Sequence, residues 1–117
     1  MDERFARTPD PPYYLVAFTS RRTAGDGEAY EAMAERLATL APSQPGFLGL
    51  ESVRDAEGVG ITLSYWASEE AIRAWKSLAV HLAAQRAGRE AWYADYVLRV
   101  ARVERAYTMS TSAREGL

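Results

Sequence analysis

GITLSYWASEEAIRAWKSLAVHLAAQ, residues 60–85, is the stretch whose reading decides the fold. Ile61-Thr62-Leu63-Ser64-Tyr65-Trp66 alternates larger apolar with small polar groups and is rich in β-branched and aromatic residues, as a half-buried strand requires. The period then changes. Ser68 can cap a helix with its hydroxyl, and Glu69 and Glu70 fall in the first turn, where the helix dipole favours anions. Beyond them Ile72, Trp75, Ala79 and Leu82 recur at helical spacing as one apolar stripe. A strand that delivers Trp66 straight into a helix carrying Trp75 is the expected core unit.

Working outward, Phe47–Arg54 (FLGLESVR) reads as a strand joined to the central one by a hairpin turn at Asp55-Ala56-Glu57-Gly58. A helix over 28–41 precedes it, with Asp26 as cap and Tyr30, Met33, Ala34, Leu37 and Leu40 or Ala41 as its buried stripe. Pro42 and then Pro45-Gly46 stop that helix. Tyr13–Ser20 (YYLVAFTS) is the first strand, apolar on both faces and therefore expected to be covered on both. After a break at Gly88, residues 89–95 (REAWYAD) read as a short helical piece, and 96–107 (YVLRVARVERAY) as a long, alternating closing strand. Residues 1–12, charged and rich in proline, read as an extended arm, and 108–117 as a flexible tail.

The order β-α-β-β-α-β predicts an α+β domain over 13–107: a ferredoxin-like antiparallel sheet with both helices on one face. The other face is apolar too, and a second copy of the chain is its simplest cover, so a homodimer is expected through Ile61, Leu63 and Tyr65. Thr62, Ser64 and Trp66 then lie beneath the helices, or the two faces exchange if the register shifts by one residue. The two small residues beside a large aromatic suggest room for a flat ligand.

Composition excludes several classes. The 117 residues hold 48% hydrophobic and 26% charged residues with a net charge of −2, and no basic stripe marks a nucleic-acid surface. There is no apolar run of the roughly 18 residues that a membrane span needs. With no cysteine and one histidine, neither a disulfide framework nor a protein-built metal site is expected, and the cysteine count fits a cytoplasmic protein.

Two segments carry a family resemblance. PGFLGLESVRD (45–55) followed by ITLSYWASEEAIRAW (61–75) resembles the antibiotic biosynthesis monooxygenase domain, within the dimeric α+β barrel superfamily. The resemblance implies that barrel and, in one branch, cofactor-independent oxygenation of an aromatic or polyketide-like small molecule, with no cofactor. Trp66 matches the tryptophan that lines the pocket of such oxygenases. The asparagine some carry four residues earlier is Thr62 here, and their tyrosine six residues later is Ile72. In haem-degrading relatives the second tryptophan is matched by Trp75, but Gln85 stands where they place an axial histidine. Their catalytic asparagine corresponds to Phe18 or Thr19, neither an amide, so the resemblance disfavours haem degradation. A non-catalytic or small-ligand-binding, stress-associated homodimer is the alternative.

The candidate site residues follow. Trp66 and Trp75 can bracket an aromatic substrate or serve as core, with Thr62 and Ser64 as small polar contacts. His81 lies about 240° around the helix from Trp75, as a base or proton shuttle or else as a boundary histidine bonded to a carbonyl. Arg86 and Arg89, with Trp92, Tyr93 and Tyr96 around the Gly88 break, can hold an enolate or quinone oxygen at a pocket mouth, or belong to a packed lid with both arginines in solvent. Arg99, Arg102 and Arg105 read as intersubunit or edge charges.

Overall fold

The computed structural model describes residues 2–23, 27–87 and 93–111. Its elements are β1 (Tyr13–Arg22), α1 (Gly27–Leu40), a single 3-10 turn (Ala41–Ser43), β2 (Phe47–Arg54), β3 (Val59–Trp66), α2 (Glu69–Ala87) and β4 (Tyr93–Val103). The strands form one antiparallel sheet in the order β2-β3-β1-β4. This is the ferredoxin-like arrangement.

The junction between β3 and α2 is built as its sequence dictates. Ala71 N–H donates to Ser68 Oγ at 3.1 Å, so the serine caps the helix. Asp55 organises the hairpin by accepting at Oδ1 from the backbone N–H groups of Glu57 and Val59, both at 2.9 Å.

The last strand departs from expectation. Residues 93–95, read as helical, are strand, because β1 runs two residues past Ser20 and its Arg21 and Arg22 pair with Asp95 and Tyr93. Helix-like composition yields to available ladder partners. At the other end β4 stops at Val103 rather than 107, since Val103 faces Tyr13, the first residue of β1, and no strand remains beyond it to bond with. Residues 89–92 of the expected helical piece lie outside the described residues. In α1, Met33 is buried as expected whereas Ala34 is exposed.

Because residues opposite one another in an antiparallel ladder share a face, the registers assign the paired strand residues to the two faces. On one face four rows run across β2, β3, β1 and β4: Phe47, Trp66, Tyr14, Arg102; then Leu50, Ser64, Val16, Val100; then Ser52, Thr62, Phe18, Leu98; then Arg54, Gly60, Ser20, Tyr96. Trp66 and Val16 form the core there with Ile72 of α2, flanked by Tyr14, Phe47, Ala71 and Trp75. Among the described residues Trp66 is the largest fully buried side chain, with no exposed surface.

The opposite face is crossed by the N-terminal arm. Ala6 N–H donates to Glu51 Oε2 at 2.8 Å and Thr8 Oγ1 donates to the Tyr13 hydroxyl at 2.8 Å. The Tyr65 hydroxyl donates to the other Glu51 oxygen at 2.6 Å. Gly49 makes the approach possible: a Cβ there would stand 2.7 Å from the Ala6 Cβ. Tyr13 and Tyr65 meet edge-on beneath the arm, their ring centroids 6.0 Å apart. The expected partner-facing set of Ile61, Leu63 and Tyr65 is thus divided, Tyr65 being held by the chain's own arm.

Candidate functional site between the sheet and the helices

The helix-facing surface has a closed end and an open one. At the closed end Trp66 meets Phe47 edge-on with centroids 5.5 Å apart, and Trp75 at 5.8 Å with planes tilted by 31°. The Trp66 indole N–H donates to Ser64 Oγ at 2.9 Å, so the space that a serine leaves on the strand is taken by its neighbour's indole and by the need to hydrogen-bond it. The room anticipated at Ser64 is taken up by the Trp66 indole, while the mouth expected at His81, Arg86, Trp92 and Tyr93 lies outside the described side chains.

Towards the open end, Thr62 and Ser52 join their hydroxyls across β3 and β2 at 2.8 Å. Phe18 packs against Tyr96 with ring centroids 5.4 Å apart. Tyr96, Leu98 and Val100 remain 59%, 39% and 47% exposed on this face. They make an apolar floor along β1 and β4 that continues from the buried tryptophans.

The far edge of that floor is polar, and composition gave no warning of it. Arg54 lays its guanidinium over Gly60 and reaches β1: Nη2 donates to Ser20 Oγ at 2.9 Å, and Nη1 donates to the backbone oxygens of Ser20, at 3.3 Å, and Gly58. A Cβ on residue 60 would stand 2.6 Å from the Arg54 Cζ, so glycine is what lets the side chain lie flat. Ser20 is 3% exposed. The only signals in the sequence were an arginine and a glycine facing each other across the hairpin, which becomes legible once the register is known.

The candidate residues are distributed as follows. Thr62, Ser64, Trp66 and Trp75 come together beneath the helices. His81 and Arg86 belong by their backbone to α2 and Tyr93 to the start of β4, but their side chains, and all of Trp92, lie outside the described residues. Among the described residues no group of three His, Cys, Asp or Glu side chains is arranged to hold a metal ion. No described helix is long and apolar enough to cross a membrane. On the other face, burial first and then the Glu51 hydrogen bond and charge hold the Tyr65 phenol well above its ordinary pKa.

A four-stranded ferredoxin-like sheet with two helices, whose helix-facing surface runs from a buried tryptophan core to an exposed apolar strip on β4, defines the class: a small α+β domain. Residues 13–87 match the antibiotic biosynthesis monooxygenase family, and the chain belongs to it. It is 50% identical over 105 residues to the uncharacterized protein YqjZ of Bacillus subtilis, covering 90% of this chain and 91% of that one. It is 30% identical over 94 residues to the jasmonate monooxygenase ABM of Pyricularia oryzae, covering 77% of this chain and 43% of that longer protein. In fold it resembles SnoaB, a cofactor-independent oxygenase from Streptomyces nogalater, with a TM-score of 0.61 at 13% identity over 80% of this chain and 95% of that one.

Proposed function

We propose that this chain is a cofactor-independent monooxygenase acting on an aromatic or polyketide-like small molecule, and that it works as a homodimer. The observation that carries the reading is the apolar floor of Phe18, Tyr96, Leu98 and Val100, which continues from the Trp66–Trp75 pair and is left open on the helical side. Family membership, the jasmonate monooxygenase relative and the fold shared with SnoaB support it.

In this reading a flat substrate rests on the floor and stacks towards Trp75, with Thr62 as its small polar neighbour and Ser64 acting only through the Trp66 indole that it holds. His81 takes a proton from an activated carbon of the substrate, and Arg86 holds the resulting enolate oxygen, with Trp92 and Tyr93 at the mouth. The electrons for oxygen come from the substrate: an activated CH2 becomes a carbonyl, one oxygen atom staying on carbon and the other leaving as water.

Oxygen uptake by a panel of anthrone-like and hydroquinone substrates, with and without the protein, tests this. Enzyme-dependent uptake with stoichiometric carbonyl product, reduced at least tenfold in His81→Ala, is the expected result. Tryptophan quenching by the same compounds without any oxygen uptake would instead establish a ligand-binding homodimer. One observation favours a non-catalytic homodimer instead: Trp66 is wholly enclosed and its N–H already bonded, as in a purely structural core.

A further inference from the structure

The arm divides the helix-free face into two zones. It crosses from Tyr13 on β1 to Gly49 and Glu51 on β2. From Tyr13 on β1 to Gly49 on β2 is two strand spacings, about 10 Å, a distance the stretch from Thr8 to Ala6 covers with its side-chain contacts. Beyond it lie two rows that the arm leaves uncovered apart from Glu51, which Ala6 holds: Glu51, Leu63, Ala17, Arg99, and then Val53, Ile61, Thr19, Val97. In the second of these Val53, Ile61 and Val97 are 74%, 44% and 45% exposed.

The first uncovered row carries a charge pattern of its own. A carboxylate stands at the β2 edge and a guanidinium at the β4 edge, with Leu63 and Ala17 between them. Arg99 is exposed and makes no ion pair among the described residues. A two-fold axis parallel to the strands, lying between two such sheets, sets β4 of one copy over β2 of the other and brings Arg99 against Glu51 at both ends. An axis at right angles to the strands sets Glu51 on Glu51 and Arg99 on Arg99, which like-charge repulsion penalises. Glu51 keeps acceptor capacity for this, since a carboxylate offers about four lone-pair sites and the arm and Tyr65 use one oxygen each.

We propose that the N-terminal arm, pinned to Glu51, fixes where a second copy of this chain docks: on the two rows it leaves uncovered, with Arg99 of one copy meeting Glu51 of the other. The proposal rests on the homodimer reading above and adds to it the register and the residues that set it. The arm is a wall of the docking surface, Leu63, Ile61, Val53 and Val97 supply its apolar centre, and the Glu51–Arg99 pairs select the orientation.

Sedimentation equilibrium of the full chain, with a distance measurement between spin labels on Ser77→Cys, tests it. Ser77 is an exposed position of α2, and the chain has no other cysteine to label. The expected results are a dimer, a dissociation constant raised at least about tenfold by Arg99→Glu and about a hundredfold by Ile61→Asp, and one narrow inter-label distance. Gly49→Val, which displaces Ala6, should shift or broaden that distance while trypsin cleavage after Arg7 accelerates. If that variant does not fold, deletion of residues 2–10 replaces it. A monomer at all concentrations would remove the homodimer reading itself. A dimer indifferent to Arg99→Glu and Ile61→Asp, or an inter-label distance unchanged once the arm is released, would overturn this inference and leave that reading standing.

Discussion

The indole N–H of Trp66 donates to the hydroxyl of Ser64, two residues earlier on the same strand face, at 2.9 Å. A serine that looks like spare room in the sequence is thereby the hydrogen-bond partner of the largest buried side chain among the described residues.

Ser64→Leu should therefore destabilise the protein. The larger side chain overpacks a filled site, which costs about 1–3 kcal/mol, and it leaves the buried indole N–H without its acceptor, costing about another 1–3 kcal/mol. Ser64→Ala should cost only the second amount. Denaturant unfolding distinguishes them: equal losses for the two substitutions would mean that the space beside Trp66 is open.

Arg54 and Gly60 should behave as one unit. Gly60→Ala pushes the guanidinium off Ser20, losing its hydrogen bonds, while alanine returns part of the loss because it is less costly than glycine in a strand, by roughly 0.5–1 kcal/mol. The fold should survive with a net loss of about 0–2 kcal/mol. Combined with Arg54→Met the losses should fall short of additive by about 1 kcal/mol in a double-mutant cycle. Full additivity would show that the two residues do not cooperate.

Tyr65 makes an alkaline prediction. Its phenol is held above the ordinary value of 10.0 by burial and by Glu51, so the folded state keeps a proton that the unfolded chain gives up. The stabilisation is complete below about pH 10 and declines as pH rises beyond it. Phenolate absorbance during an alkaline titration should show a late step from Tyr65, which Tyr65→Phe should remove. A late step that persists in Tyr65→Phe belongs to another tyrosine.

Much of this architecture was legible because local chemistry decides it. The change of period at Ser68 marks the junction of β3 and α2, and the hairpin at Asp55 supplies its own turn bonds. What escaped depends on partners distant in sequence. Ala6 meets Glu51 across 45 positions and Arg54 meets Ser20 across 34, and neither pairing leaves a periodic trace. The start of β4 was misread for a related reason: Tyr93 and Asp95 take their conformation from Arg22 and Arg21, not from their neighbours. At the candidate site Trp66 and Trp75 were found from the helical stripe and strand alternation. Tyr96 was singled out beside the Gly88 break, but the exposed floor at Leu98 and Val100 was not, because exposure depends on where the helices end rather than on the strand's own pattern.

Tyr65 and Trp66 are consecutive, yet one is clasped by the arm through Glu51 and the other is sealed under α2. A slip of β3 by one residue would present the indole to the carboxylate and the phenol to the helices, so both coverings would fail together. The strand is keyed from two sides by segments at opposite ends of its neighbourhood in the chain. A frame error in this strand is thus rejected by two independent checks, and insertions or deletions within Val59–Trp66 should be far less tolerable than substitutions at either residue.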